Sequence, residues 1–365
     1  MADMDGRAKK VKRLLLLLVC IALTLAAAAC FITGFLLSKR LLPQQAAQRW
    51  QGESELQYTQ LSCFVPIDEK LSLNQIYTFR TELMKKLHEA ALDADDSQQL
   101  YVDAWSCTGK ALATTDLGKG DASVIAVGGD FFHFHPLRLY NGTYFYESDL
   151  MKDRVLLDED LAWLLFGGTE LQGLTLKING VPFVVAGVIE REQDFASELA
   201  YTAGMGLYMS YDAWKELEPN AGITCYELVM AEPVRGFAVN FAREKFPIGQ
   251  GEIVENTDRF TMGNLLWLVT KYGTRSMQKL GVLLPYWENA ARCMEDWCSL
   301  LYLLGWLLIV TPLTVLTVTT VRLLRRGKEK LADDVLPEWK DRAEEAVRVR
   351  QRRRWERRHG KHEAR

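Results

Sequence analysis

Two long runs without a charged residue dominate the pattern of hydrophobic and polar positions along the chain. Residues 14–37 form a run of 24, and residues 299–321 form a run of 23. A helix rises about 1.5 Å per residue, and the hydrocarbon layer of a membrane is about 30 Å thick. The pattern therefore predicts two transmembrane helices, at 14–37 and 299–321, with a region of mixed character between them.

Between these runs, one amphipathic helix and several short strands are predicted. Ser72 and Gln75 have the spacing of a capping box, and a helix follows to about residue 89. Its apolar face would consist of Ile76, Phe79, Leu83, Met84 and Leu87. Short apolar runs predict strands at 56–65, 99–107, 123–127, 206–209, 225–231 and 252–255, and short helices at 211–217 and 234–246. The Gly/Thr/Asp-rich segment 108–122 is expected to be a turn region.

Residues 127–190 form a module of short apolar runs that glycines interrupt. Asn179-Gly180 is typical of a two-residue hairpin turn, so 174–178 and 181–189 are predicted to pair as strands. Residues 158–166 predict a short helix that ends at Gly167-Gly168. We expect a β-α-β-β order, this β-rich insertion at about 128–200, and then β-α-β-α-β. That order gives an α+β fold with a mixed sheet, flanked by two transmembrane helices.

The net charge of −3 hides a strong asymmetry along the chain. Residues 1–13 carry five basic and two acidic groups (+3), and residues 322–365 carry 16 and nine (+7). The remainder carries 23 and 36 (−13). Lysine and arginine concentrate on the cytoplasmic side of membrane spans. Both termini are therefore predicted to be cytoplasmic, with residues 40–298 outside.

The N-terminal apolar run has two other interpretations. A cleaved signal peptide has an apolar core of about 7–15 residues, whereas this run continues through Phe31 to Phe35. A lipid-anchored Cys30 would be followed by a polar segment, and the chain stays apolar there. We therefore predict an uncleaved span.

The basic tail, residues 322–365, is expected to be a solvated helix or a disordered segment. Attraction to anionic membrane lipids is a reasonable secondary role for its many arginines, at about 1 kcal/mol per basic group near the surface. The chain has no nucleic-acid-binding module, so nucleic acid is not an expected partner.

Sequence motifs for catalysis are missing. The chain has no G-x-x-x-x-G-K-[ST] loop, no G-x-S-x-G, no H-E-x-x-H and no C-x-x-C. We therefore predict that it is not an enzyme and has no cofactor. His133 and His135, with Asp130 nearby, could share one side of a strand and bind a metal. The flanking aromatic residues favour packing instead, and no metal site is predicted.

Cysteines suggest one covalent link. Cys63 and Cys107 each lie near the end of a predicted strand in a region expected to be outside the cytoplasm. A disulfide between them is one hypothesis, and two unpaired buried thiols are the other.

The order of the turns and apolar runs carries a family resemblance. An aromatic segment leads to L-x-x-G-x-x-F at residue 139, then to V-x-L-D-x-x-L-A-x-x-L-F-G at residue 155, and then to the Asn-Gly hairpin. Over residues 56–254 this order resembles the periplasmic core domain of MacB-type ABC-transporter permeases, in the wider FtsX-like group. The resemblance implies porter-like and sabre-like subdomains within residues 42–260, and a stalk at 261–298.

The resemblance also implies a function. A separate cytoplasmic ABC ATPase would supply energy, and the stalk would pass motion to the outer domain. A full permease of this type has three spans after the outer domain, and this chain has one, so a further permease subunit is an expected partner. The predicted mechanical link is Pro285, Tyr286, Trp287 and Trp297, because no glycine or proline follows Pro285 before the span. The alternatives are a stand-alone sensing or binding module and, more weakly, a hydrolase.

Overall fold

The computed structural model describes residues 2–90, 100–200, 205–275, 281–330 and 336–359. The helices in these ranges are α1 Ala2–Ser38, α2 Ala46–Gln51, α3 Leu73–Glu89, α4 Phe131–Phe134, α5 Glu159–Phe166, α6 Phe195–Ala200, α7 Tyr211–Leu217, α8 Phe237–Lys245, α9 Met262–Val269, α10 Tyr272–Arg275, α11 Tyr286–Lys330 and α12 Leu336–His359. The strands are β1 Tyr58–Phe64, β2 Tyr101–Thr114, β3 Lys119–Gly129, β4 Leu139–Gly142, β5 Arg154–Asp158, β6 Thr175–Ile178, β7 Val181–Ile189, β8 Met205–Ser210, β9 Cys225–Ala231 and β10 Glu252–Glu255. Short 3₁₀ helices lie at Leu42–Gln45 and Ile67–Glu69.

Two compact units divide the chain. One is Phe31–Leu303, called here the core unit, and the other combines Met1–Cys30 with Leu304–Arg365. Helices α1 and α11 are each long and apolar enough to cross a membrane. Helix α1 contains the first uncharged run, and α11 contains the second. The basic tail is helical over the described residues of α12.

The ten strands of the core unit form one mixed sheet in the order β10-β1-β9-β2-β3-β8-β5-β7-β4. Strand β6 pairs with both β2 and β7. The hydrogen bonding therefore closes into a ring of six strands, β2-β3-β8-β5-β7-β6. Within the ring β3/β8 and β5/β7 are parallel, and the other pairs are antiparallel.

This ring has a shared apolar interior. A fully buried side chain from each of its strands belongs to one hydrophobic cluster: Ala113, Val124, Leu157, Ile178, Val185 and Leu207. Strand β2 can serve both parts of the sheet because it is long. Its first half pairs with β9, and its last two residues pair with β6.

The predicted mixed-sheet fold is confirmed, but segment 108–122 is not the expected turn region. It forms most of the β2–β3 ladder, and only residues 115–118 turn. Cross-strand pairing overrides the local preference of Gly, Thr and Asp for turns. Gly109 is needed in this ladder, since a Cβ there would lie 2.3 Å from Cζ2 of Trp214.

Several local predictions are confirmed. Ser72 and Gln75 form the capping box of α3. Asn179 and Gly180 have φ of 48° and 88°, which the hairpin between β6 and β7 requires. Asp158 accepts a 2.8 Å hydrogen bond from Leu161 N at the start of α5, and Gly167 ends that helix in the left-handed conformation.

Helix α3 is held on the sheet by aromatic and ionic contacts. Phe79 lies 5.7 Å from the ring of Tyr226 and 5.1 Å from that of Phe246. Arg80 binds Asp103 through two nitrogens, at 2.8 and 2.7 Å, and Tyr226 Oη donates to the same carboxylate. Four of the five residues predicted for the apolar face of α3, Ile76, Phe79, Leu83 and Leu87, are buried, and Met84 is half-buried.

The suggested disulfide is not formed, and Cys63 and Cys107 are buried free thiols. They lie on β1 and β2, and β9 runs between these strands. Two strand spacings are about 10 Å, beyond the Cα separation of about 7 Å that a disulfide can bridge. Burial raises the pKa of the Cys107 thiol to about 12 and also raises the pKa of Cys63, so both stay protonated.

Candidate functional site: the junction of the sheet and the stalk helix

Helix α11 begins inside the core unit. The carbonyl of Pro285 accepts hydrogen bonds from the backbone N–H groups of Glu288 and Asn289, both at 3.1 Å, so the helix starts directly after the proline. From there α11 continues without a break to Lys330 and includes the second apolar run. The predicted helical continuity of residues 286–297 with the second apolar run is confirmed.

The first two residues of α11 pack against β8 and against the region of α4. Tyr286 Oη lies 3.1 Å from Tyr208 Oη on β8. Trp287 is buried, with its ring 5.7 Å from Phe131 and 4.4 Å from His135. Trp297 is not part of this contact. It is 46% exposed and packs edge-on against Phe195 at 5.7 Å.

Arg259 is the centre of a buried ionic cluster at this junction. Its guanidinium binds Glu288 through two nitrogens, at 2.7 and 2.8 Å, and donates to Glu295 at 3.1 Å. It also donates to Asn256 at 3.2 Å and to Gln44 at 3.3 Å. Arg259 therefore ties the segment after β10 to two residues of α11 that lie about two turns apart, and to the 3₁₀ helix that follows α1.

Arg292 extends the cluster to the sheet edge. It binds Glu288 at 2.7 Å and Glu252 of β10 at 3.1 Å. We call Arg259, Glu288, Arg292, Glu295 and Glu252 the Arg259 cluster.

The two guanidiniums control the ionisation of Glu288. Burial by itself would raise the pKa of Glu288, but Arg259 and Arg292 outweigh burial, and the pKa lies below its usual value. Burial likewise disfavours charge on Arg259, whereas Glu288 and Glu295 raise its pKa. Both partners remain charged at neutral pH. A buried bidentate pair of this kind fixes geometry, because any displacement exposes an uncompensated charge to an apolar surrounding.

A second set of buried polar groups joins this cluster from the sheet. Asn256 Nδ2 donates to Ser62 Oγ at 2.7 Å, and Ser62 Oγ donates to Glu227 Oε1 at 3.2 Å. Glu227 Oε2 lies 2.5 Å from His135 Nε2. The ring of His135 is stacked on Phe131 at 4.4 Å. A continuous chain of hydrogen bonds therefore links His135, which packs against Trp287, to Arg259 through Glu227, Ser62 and Asn256.

His133 and His135 do not form a metal site. They lie in and just after the short helix α4 rather than on a strand, so they do not share a face, and His135 is held by Glu227. The ring of His133 packs against Trp50 at 5.0 Å, and burial together with nearby Arg49 lowers its pKa. Within the described residues, no three His, Cys, Asp or Glu side chains are placed to hold a metal ion.

The segment after α1 is attached at the same place. Gln60 of β1 is fully buried and accepts a 2.9 Å hydrogen bond from Ala46 N. Its Nε2 donates to the carbonyl of Pro43 at 2.7 Å. Together with the Gln44–Arg259 contact, this fixes residues 42–47 on the sheet beside α11. Sequence analysis missed Gln44, Gln60, Arg259 and Arg292, because nothing in their local pattern signals a shared site.

An apolar cleft of about 450 Å³ lies beside the start of α11. Its lining includes Pro285, Tyr286, Tyr208 and Asp158. Burial raises the pKa of Asp158 to about 6, although hydrogen bonds from Leu161 N and Gly206 N oppose this shift. The cleft is large enough for a small apolar ligand.

The structure thus defines a class of protein: a mixed-sheet domain fastened to a helix that is apolar enough to span a membrane. Residues 70–239 match the family model described as the MacB-like periplasmic core domain. This part of the chain is therefore similar to the MacB-like periplasmic core domain, which is the resemblance that the sequence pattern indicated. The match ends before the Arg259 cluster and excludes both apolar helices.

Solved structures give similar domains. The extracellular domain of the noncanonic ABC-type transporter YknZ from Gram-positive bacteria is 16% identical, with a TM-score of 0.36, covering 52% of this chain and 92% of that one. The periplasmic region of MacB from Actinobacillus actinomycetemcomitans is 14% identical, with a TM-score of 0.40, covering 61% and 94%. A domain of a putative permease protein from Porphyromonas gingivalis is 12% identical, with a TM-score of 0.31, covering 54% and 88%. A comparison with curated proteins gave no match.

Proposed function

We propose that the chain is a non-enzymatic subunit of an ABC-type export or mechanotransmission system. A separate cytoplasmic ATPase would supply the energy, and a further permease subunit would complete the complex. Both termini would be cytoplasmic and the MacB-like domain extracytoplasmic. One observation carries this proposal: α11 is a single helix whose first turns are fixed in the sheet and whose later turns have the composition of a span.

The Arg259 cluster supports transmission rather than simple tethering. A tether needs only a covalent link, whereas Arg259 binds two turns of α11 at Glu288 and Glu295. Arg292 adds a bond from the same helix to the edge strand β10. A movement of α11 along or about its axis would therefore have to move the sheet with it. Trp287, packed on Phe131 and His135, adds an apolar contact on the same helix end.

The experiment is purification of the tagged full-length chain from native membranes in mild detergent, followed by identification of co-purifying proteins. We expect an ABC ATPase and a second permease subunit. Arg259→Leu should retain both partners but reduce coupling, measured as substrate export or as the change in ATP hydrolysis when the subunit joins the complex. Arg235→Leu is the matched control, because Arg235 also pairs with an acidic residue but its side chain is 87% exposed.

A stand-alone module that binds a small apolar ligand is the second candidate, and the 450 Å³ cleft favours it. In that case no ATPase would co-purify. Ligand binding would then depend on cleft residues such as Tyr208 and would be indifferent to the state of Arg259.

A further inference from the structure

Two short helices beside the stalk carry exposed apolar side chains. On α6, Phe195 and Leu199 are 51% and 65% exposed. On α9, Trp267 is 61% exposed, and Met262 is also exposed. Exposed apolar side chains are normally scattered singly over a protein surface. A group of large ones therefore marks a contact surface.

Both helices lie at the level where the second apolar run begins. Ala196 of α6 and Leu265 of α9 are buried in one cluster with Met294, Cys298 and Tyr302 of α11. Tyr272 Oη, just beyond α9, is 2.5 Å from Ser299 Oγ, the first residue of the uncharged run. Phe195 touches Trp297, two residues earlier. The exposed apolar side chains are therefore next to the point at which α11 loses its charged residues.

Basic and aromatic residues accompany this surface. Lys271 Nζ lies 5.3 Å from the centre of the Trp267 ring. Lys39 and Arg40, at the outer end of α1, are exposed. Tryptophan beside lysine is the composition that helices adopt at the boundary between lipid headgroups and acyl chains.

We propose that α6 and α9 lie in the outer headgroup layer of the membrane and insert Phe195, Leu199 and Trp267 into it. The occupant of this surface is the lipid bilayer, because the surface is continuous with a helix that enters the same bilayer. The core unit would thus rest on the membrane beside α11, in addition to being held by the Arg259 cluster. This inference depends on the spans and not on an ATPase partner.

The test uses the full chain in nanodiscs of phosphatidylcholine and phosphatidylglycerol, with either ordinary or dibrominated phosphatidylcholine. Bromine quenches tryptophan emission only on contact within the bilayer. Brominated lipid should quench the emission of Trp267, so Trp267→Phe should remove less emission in brominated than in ordinary lipid. It should not quench the emission of Trp163, so Trp163→Phe should remove the same emission in both. Trp163 on α5 is the control because it is similarly exposed, at 56%, but lies outside this surface.

A gain-of-signal pair makes the test independent of Trp267. Leu199→Trp should add emission that brominated lipid quenches, and Leu150→Trp, at a fully exposed position of the β-rich module, should add emission that it does not. If the emission of Trp267 and the emission added by Leu199→Trp resist brominated lipid but are quenched by acrylamide, the surface faces water and the proposal is overturned. If they resist both quenchers, a second copy or another protein covers the surface, and the proposal is equally overturned.

Discussion

At the scale of single residues, Arg259 has the greatest influence on the junction. It is buried and neutralises two buried carboxylates from one helix, Glu288 and Glu295. Removal of one partner from such a site leaves the others charged in an apolar surrounding, which costs far more than the loss of an exposed ion pair.

Arg259→Leu is therefore expected to lower the free energy of unfolding of the core unit by about 3–5 kcal/mol. Arg235→Leu, which breaks the exposed pair with Asp258, should leave it nearly unchanged. Denaturant unfolding of the full chain in detergent, followed by tryptophan fluorescence, measures both. Equal stability of the two variants would show that the buried cluster does not hold the junction.

Asp158 predicts a pH dependence of stability. Its pKa is raised from 3.8 to about 6 in the fold, so the folded state holds a proton that the unfolded state releases. Protonation of Asp158 contributes fully to the stability of the folded state below pH 4. This contribution is lost as the pH rises through 6, which lowers the free energy of unfolding by at most about 3 kcal/mol.

Asp158→Asn isolates this effect. Asparagine keeps the oxygen that accepts from Leu161 N but has no second oxygen to accept from Gly206 N. The variant should therefore be less stable than the parent chain, and its stability should lack the pH dependence that Asp158 causes. Melting temperatures of both proteins between pH 4 and 7 give the comparison. The difference between the two proteins should shrink with rising pH, and a constant difference would contradict the assigned pKa.

At the scale of elements, the β6–β7 hairpin shows how one turn sets a register. Asn179 and Gly180 both have positive φ, and the turn aligns Ile178 with Val181. Because β6 also closes the ring through β2, an altered turn would disturb two strand pairings.

Gly180→Ala should destabilise the core unit by about 1 kcal/mol, because φ is 88° at this position. A Cβ there would meet no other atom, so the cost comes from the backbone conformation alone. Gly168→Ala is the control, because that position is equally uncrowded and has no positive φ. Thermal unfolding compares the two. A neutral Gly180→Ala would mean that the hairpin accommodates another turn type.

At the scale of the whole molecule, the charge distribution predicts the orientation in the membrane. The ends carry +3 and +7, and the region between carries −13. Because lysine and arginine concentrate on the cytoplasmic side of membrane spans, this distribution predicts that both termini are inside.

Single cysteines introduced near residues 5, 150 and 350 should test this orientation by labelling with a membrane-impermeant reagent in intact cells. Position 150 should react, because Leu150 is fully exposed, and positions 5 and 350 should react only after lysis. Native cysteines are buried or half-buried, and the parent chain provides the background. External labelling at 350 would overturn the two-span orientation.

Part of this architecture was determined by the sequence itself. The uncharged runs, the capping box at Ser72, the helix end at Gly167 and the Asn179-Gly180 turn are all local signals. Their physical causes act over a few residues, so the elements that they set are found where the pattern predicts them. The family resemblance likewise rests on the order of such elements along the chain.

Only the tertiary structure decided the rest. Closure of the ring through β6, the extension of β2 and β3, and the separation of Cys63 from Cys107 depend on which strands become neighbours. The Arg259 cluster joins Arg259 and Glu252 to α11, and Arg259 also binds Gln44, which lies 215 positions earlier in the chain. No local pattern encodes such a meeting. It follows from long-range strand register and from burial, which removes water and makes charged groups bind other polar and charged groups of the protein.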